Sequence, residues 1–258
     1  MKELILITGA SSGIGREMAR LLAARRNDLI LVARREDRLI ALRDELEEKH
    51  VIHVHIFTAD LSNQNTVHDL YKGIQAKGLS VTMLVNNAGF GLYGDFTETD
   101  LDDEVRMINL NITALMMLSK WYAAEFKLRG AGVIMNVGSI LSFLPFPYYA
   151  VYAASKAFVL HFSEALQAEL EGTGVRVITL CPGPTDTEFN SERMLSTNAY
   201  KSMKPVSAKV VAEKAVAYLA KGNGTKVVGL MNKITANLPR LAPRGFGLKI
   251  NKHMASQV

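Results

Sequence analysis

The chain has 258 residues, 48% hydrophobic and 21% charged, enough for a packed core and too apolar for a disordered polypeptide. Its single cysteine, Cys181, excludes an internal disulfide and suits a reducing compartment, where it reads as a buried small hydrophobe in preference to a catalytic thiol. The net charge of +5 is carried towards the C-terminus, since no acidic residue follows Glu213.

Short β-rich runs alternate with longer helical patterns. Residues Leu4–Thr8, Leu29–Ala33, Val51–Phe57, Val81–Val85, Gly132–Val137, Val175–Leu180 and Lys226–Leu230 read as strands, several of them apolar throughout, as strands covered on both faces should be. Amphipathic segments lie between them, such as Arg35–Lys49. The helix after Ser207 carries that residue as its N-cap and Gly222 as its stop. This alternation predicts an α/β fold, a parallel sheet wrapped by helices on both sides. The stretch from Pro182 to Pro205 is too long for a plain connection and reads as a substrate lid on a single domain. Residues 1–230 are expected to form that domain, and residues 231–258 a basic C-terminal extension of it.

The first turn holds the first chemistry. In "ILITGASSGIGREMA", Gly9, Gly13 and Gly15 sit between strand and helix, where backbone N–H groups and the helix dipole can receive a phosphate. Glycine is needed where the backbone turns tightly or meets a pyrophosphate without a Cβ. The hydroxyls of Ser11 and Ser12 can donate to a 2′-phosphate on the cofactor's adenosine ribose. The second strand ends in "LVARRED", with Ala33 where an acid would hold the ribose of NAD. Arg34, with Arg35 as second candidate, can take a 2′-phosphate instead, so NADP(H) is the expected cofactor.

Later, "YYAVYAASK" places Lys156 four residues after Tyr152, on one face of a helix. A tyrosine hydroxyl has a reference pKa of about 10, so it needs help to act as an acid at neutral pH. A nearby ammonium favours the phenolate and can supply that help. Tyr148 and Tyr149 have no lysine at i+4 and are expected to line the cleft, with Phe143 and Phe146. No metal cluster is apparent: His53 and His55 have no third ligand near them. No run approaches a membrane span, the leading apolar run is too short for a signal peptide, and a cytoplasmic protein is expected. The lysines and arginines between Lys214 and Lys252 read either as solvated surface or as a landing surface for an anionic substrate tail or an acidic membrane. Nucleic acid is not indicated, because aromatic residues are not interleaved with those charges.

The sequence resembles the short-chain dehydrogenase/reductase superfamily in its compact single-domain form, from Leu4 to about Leu230. "TGASSGIG" is similar to the family's TGxxxGxG turn. "NNAG" (Asn86–Gly89), "NVGSI" (Asn136–Ile140), "YAASK" (Tyr152–Lys156) and "PGPTDT" (Pro182–Thr187) follow in the family's order. The resemblance implies a Rossmann doubly wound, seven-stranded, three-layer α/β/α fold. It implies a cofactor site that includes Ile14, with Asp60 and Leu61 at the adenine and Asn87, Ala88 and Gly89 along the ribose and pyrophosphate. Pro182, Gly183, Thr185 and Thr187 would lie at the nicotinamide end. It further implies Tyr152 as proton donor, Lys156 as its activator and ribose ligand, and Ser139 polarising the substrate oxygen. An asparagine would hold a proton-relay water. Asn111 fits the family's Asn–Val better, with Asn109 the alternative. The expected activity is NADPH-dependent reduction of a ketone, an aldehyde or an oxoacyl thioester by a homodimer or homotetramer. The alternatives are an NADP(H) sensor without turnover and an NAD-linked alcohol dehydrogenase.

Overall fold

A computed structural model describes residues 2–202, 205–238 and 244–256, the side chains of 244 and 246 apart. The chain runs β1 (Leu4–Thr8), α1 (Gly13–Ala23), β2 (Asp28–Ala33), α2 (Glu36–Lys49), β3 (Val54–Thr58), α3 (Gln64–Ala76) and β4 (Met83–Asn86). There follow α4 (Leu101–Ile108), a π-helical turn (Asn109–Ala114), α5 (Leu115–Arg129), β5 (Gly132–Val137), a 3-10 turn (Ile140–Phe143), α6 (Ala150–Glu169) and β6 (Val175–Cys181). The remainder is β7 (Thr185–Asp186), α7 (Glu192–Leu195), α8 (Asn198–Ser202), β8 (Val206–Ser207), α9 (Ala208–Lys221), β9 (Gly224–Val227), α10 (Leu230–Asn237) and α11 (Arg244–Ala255).

Seven strands form one parallel sheet in the order β3-β2-β1-β4-β5-β6-β9, and β7 pairs with β8 in a separate short ladder. The sheet order reverses between β1 and β4, and ligands of open α/β sheets bind in the crevice at such a switch point. The alternation of strand side chains feeds two cores. Ile5, Ile7, Leu29 and Leu31 face α1, α2 and α9 on one side. Leu6, Ile30, Leu84 and Ile134 meet Tyr122 and Phe126 of α5 and Val67 of α3 on the other. Apolar side chains on both faces are why these strands read as unbroken hydrophobic runs.

The strands fall where the sequence puts them, with shifts at the ends. The third begins at Val54, not Val51: Val51 is 87% exposed, and the Ile52 N–H turns back onto the His50 carbonyl. The last strand ends at Val227, because Gly229 adopts φ +95° and turns the chain into α10. Ser207 caps α9 as expected, its hydroxyl accepting from the Val210 N–H. The segment from Pro182 to Pro205, expected as a lid, is more regular than an extended loop: it holds two short helices and β7, which pairs with β8 just beyond it; Met203 and Lys204 lie outside the described residues. No helix among the described residues is long and apolar enough to cross a membrane.

Candidate active site

A cleft of about 970 Å³ runs along the C-terminal ends of the strands, near the upper end of the roughly 300–1,000 Å³ common for small-molecule sites. One end is the glycine turn. A Cβ placed on Gly9, which adopts φ +66°, would stand 2.8 Å from the Ala88 Cα, so no larger residue fits there. Gly13, at φ +54°, lies under Thr187. Thr8 holds the two loops together: its Oγ1 accepts the N–H groups of Asn87 and Ala88, each at 3.0 Å. The Asn87 side-chain amide donates to the Thr8 and Gly9 carbonyls at 2.9 and 3.2 Å. Helix α1 starts at Gly13 with no side chain capping it, which leaves its first N–H groups for a ligand.

Ser11, Ser12, Ile14, Arg34, Arg35, Asp60, Leu61, Asn87, Ala88 and Gly89 all line this end, as do Pro182, Gly183, Thr185 and Thr187 further along. Gly15 does not line the cleft. It is buried against Gly9 and Asn87, so its lack of a side chain serves helix packing. Arg34 is exposed and interacts with Asp60 through charge alone. Arg35 makes the closer contact with the phosphate end: its Nε and Nη2 donate to the Ser11 hydroxyl at 3.3 and 3.1 Å. Its Nη1 donates to Glu188 at 2.7 Å, and Arg38 donates to the same carboxylate. Burial pushes the Asp60 carboxyl up, but the Ser62 N–H and hydroxyl, with the charges of Arg34 and Arg106, hold it below the usual carboxylate range.

At the other end, Ser139 follows β5, and Tyr152 and Lys156 lie on the first turns of α6; all three are buried. The Lys156 Nζ donates to the Val137 carbonyl at 2.9 Å and stands 5.8 Å from the centre of the Tyr152 ring. Burial lowers Lys156 from its ordinary value to about 8, opposed by the Cys181 thiol. The sequence suggests that Lys156 draws Tyr152 down towards neutrality. In this structure burial dominates instead and raises Tyr152 to about 12, with the Ser139 hydroxyl opposing. Cys181 is fully buried and its thiol is pushed up to about 12, which leaves it inert, as the sequence suggests.

Asn111 is buried in the π-helical turn between α4 and α5, and a Cβ on Gly89 would meet both its Oδ1 and the Lys156 Nζ. Its amide donates to the Phe90 carbonyl (2.9 Å) and to the Ser155 hydroxyl (3.1 Å), and its Oδ1 accepts the Phe90 N–H (3.2 Å). The turn widens the helix at that point, which sets Asn111 towards the lysine; Asn109 is only half-buried. Phe143, Phe146 and Tyr149 line the cleft. Tyr148 does not: at φ +62° it turns away and its ring packs 5.9 Å from Tyr93.

Several further residues join the site without a motif to mark them. Glu188 meets both Arg35 and Arg38 across about 150 positions of chain, and only the i+3 spacing of the two arginines hints at a shared partner. The C-terminal wall is the second addition: Met231, Leu248, Asn251 and Met254 of α10 and α11 complete the cleft. No group of three or more metal-ligating side chains occurs among the described residues.

Residues 3–197 match the family model described as short chain dehydrogenase. Sulfoacetaldehyde reductase 2 of Chromohalobacter salexigens is 37% identical over 220 residues, 83% of this chain and 86% of that protein. An NADP-dependent 3-hydroxy acid dehydrogenase of Schizosaccharomyces pombe is 32% identical over 216 residues, 81% and 83% of the two chains. Among solved structures, a short-chain dehydrogenase from Sphingobium yanoikuyae in complex with NADPH superposes with a TM-score of 0.83 at 31% identity, over 95% of this chain and 94% of that one. The bulky-bulky ketone specific alcohol dehydrogenase of Comamonas testosteroni gives 0.79 at 29%, over 93% of each. With its glycine turn, its buried Ser139, Tyr152 and Lys156, and these matches, the chain belongs to the short-chain dehydrogenase family and is an oxidoreductase of CH–OH and C=O groups.

Proposed function

We propose that the protein is an NADPH-dependent carbonyl reductase in which Tyr152 is the proton donor. The observation that carries this reading is the burial of Ser139, Tyr152 and Lys156 together at one end of a cleft whose other end is the glycine turn and Arg35. The cleft fits a dinucleotide: the uncapped N-terminus of α1 suits the pyrophosphate, and Ser11 with Arg35 suits a 2′-phosphate. NADPH in the Sphingobium structure and the NADP dependence named for the Schizosaccharomyces relative support the same choice. Bound there, NADP(H) supplies the hydride.

The chain's own residues do the rest. Ser139 Oγ donates to the substrate oxygen and polarises the carbonyl. Tyr152, its pKa raised by burial, is protonated at neutral pH and gives its proton to the developing alkoxide. The Lys156 ammonium stabilises the phenolate left behind and holds the nicotinamide ribose. Asn111 fixes the Phe90 backbone beside Lys156 and holds the relay water that returns a proton. Phe189, whose ring lies 5.6 Å from that of Tyr152, would cover the tyrosine on the lid side.

The exposed apolar residues Val105, Ile108, Met116 and Phe158, on α4, α5 and α6, are the surface through which a homo-oligomer would form. The decisive experiment follows NADPH absorbance against a panel of ketones, aldehydes and oxoacyl thioesters, with Tyr152→Phe beside the wild type. Turnover that collapses in the variant is expected. Tight NADPH binding with no turnover of any carbonyl would remove the reductase reading.

A further inference from the structure

The part of the cleft beyond Tyr152 is walled by the 3-10 segment, the lid and the two C-terminal helices. Phe143, Phe146, Phe189, Met194, Leu248 and Met254 are among the side chains facing it. Every charged residue among the described lining belongs to the cofactor end or to the catalytic pair: Arg34, Arg35, Asp60, Glu188 and Lys156. Among the described residues the substrate end has none.

Its polar groups are largely engaged with the protein itself. The Asn251 amide donates to the Pro145 carbonyl at 2.9 Å. Thr197 donates to the Met194 carbonyl at 2.8 Å, and Thr235 to that of Met231 at 3.1 Å. A charged or strongly polar substrate body would lose its water here and find little in return.

Helix α11 makes this chamber, and it is fastened from three directions. Tyr93, in the loop after β4, donates its hydroxyl to the Ala255 carbonyl at 2.8 Å. Asn198, at the start of α8 in the lid, donates its side-chain amide to the His253 carbonyl and its backbone N–H to the Ser256 carbonyl, each at 3.0 Å. Asn251 ties the helix to Pro145, in the loop after the 3-10 turn. Ala255 is completely buried in an apolar cluster with Leu144, Phe146 and Ala153. At the mouth the apolar lining continues outward, with Met231 of α10 67% exposed and Leu238, which caps that helix, 51% exposed. An extended apolar body can therefore pass from Tyr152 along α11 and out over α10.

We propose that the chamber roofed by α11 selects carbonyl compounds whose body beyond the reacting carbon is uncharged, large and apolar, and discriminates against small anionic aldehydes. The selection rests on the reductase reading for its turnover but on the chamber alone for its binding.

The test uses a homologous series of methyl ketones, each paired with its ω-carboxylate counterpart. For each compound kcat/KM with NADPH is measured, and its dissociation constant from NADP+-loaded enzyme. Burial of each added methylene should raise both affinity and kcat/KM by about threefold to fourfold until the chamber is filled. The carboxylates should be poorer at every length, and Met254→Lys should flatten the rise with chain length. A flat or falling series, or a preference for the carboxylates, would overturn the proposal. A rise seen in binding with no turnover would uphold the chamber's selectivity and sink the reductase reading instead.

Discussion

Lys156 donates from its Nζ to the carbonyl oxygen of Val137 at 2.9 Å, so the last residue of β5 anchors the ammonium beneath the Tyr152 ring. One hydrogen bond does not replace the hydration of a buried cation, and burial accordingly lowers Lys156 to about 8. The folded protein therefore binds this proton less tightly than the unfolded chain. Between pH 8 and the ordinary lysine value of 10.5 the unfolded state holds more protons, and stability rises with pH. Below pH 8 the cost is constant, on the order of 3 kcal/mol. Chemical unfolding of the wild type and Lys156→Met across pH 8 to 10 should show the wild type gaining relative to the variant as pH rises. A pH-independent difference would mean that the lysine is not destabilised by burial.

Tyr152 is the second prediction. Tyr152→Phe removes one oxygen and keeps the ring against Phe189, so folding and cofactor affinity should be close to those of the wild type. Loss of a general acid should lower kcat by about 10²–10⁴-fold. For the wild type, the raised pKa keeps the acid form present through neutrality, so reduction should not fade until alkaline pH. A variant that retains most of its kcat would move the proton donor elsewhere.

Much of the fold and of the site is legible in the sequence, and the reason is local. Strands buried on both faces leave short apolar runs such as Leu4–Thr8 and Leu29–Ala33, and many of the candidate site residues sit at or just after strand ends fixed by those runs. What the sequence does not disclose depends on contacts between distant segments. Asn111 is set towards Lys156 by a π-helical turn, and "LNITAL" continues the helical pattern without a break. The direction of the Tyr152 shift depends on how much protein covers the ring. The part of α11 in the active-site wall rests on Tyr93, Asn198 and Pro145, none of them near it in sequence.

Glu188 bridges Arg35 and Arg38 at 2.7 Å to each, in an ion pair whose members are 40 to 49% exposed. Exposed pairs of this kind contribute under about 1 kcal/mol, so Glu188→Gln should leave the melting temperature nearly unchanged. Its effect should fall on the cofactor. The carboxylate occupies the guanidinium that a 2′-phosphate would use, and its removal should tighten NADPH a few-fold relative to NADH. Arg35→Ala should weaken NADPH by about tenfold or more, as loss of a charge-assisted hydrogen bond does, with little change for NADH. If Arg34→Ala produces that selective loss and Arg35→Ala does not, the phosphate lies on the adenine side, towards Asp60.

Asn109 and Asn111 are separated by substitution at each. Asn111→Ala strips partners from the Phe90 carbonyl, the Phe90 N–H and the Ser155 hydroxyl, all at or near the buried end of the cleft. Each buried group left unpaired costs about 1–3 kcal/mol, and Ser155 keeps its own bond to the Tyr152 carbonyl, which limits the total. A loss of stability of roughly 2–4 kcal/mol is expected, together with a fall in kcat, because the Phe90 loop lies against Gly89 and Lys156. Stability alone could fall for any buried asparagine, so the pH profile decides the role. A relay that returns protons through Lys156 should, when cut, lower kcat most at high pH, where solvent protons are scarce, and leave KM for NADPH nearly unchanged. Asn109→Ala, with a half-buried side chain, should change both by little. The reverse pattern, with activity lost at Asn109 and kept at Asn111, would leave the π-helical turn a structural feature of α5 and nothing more.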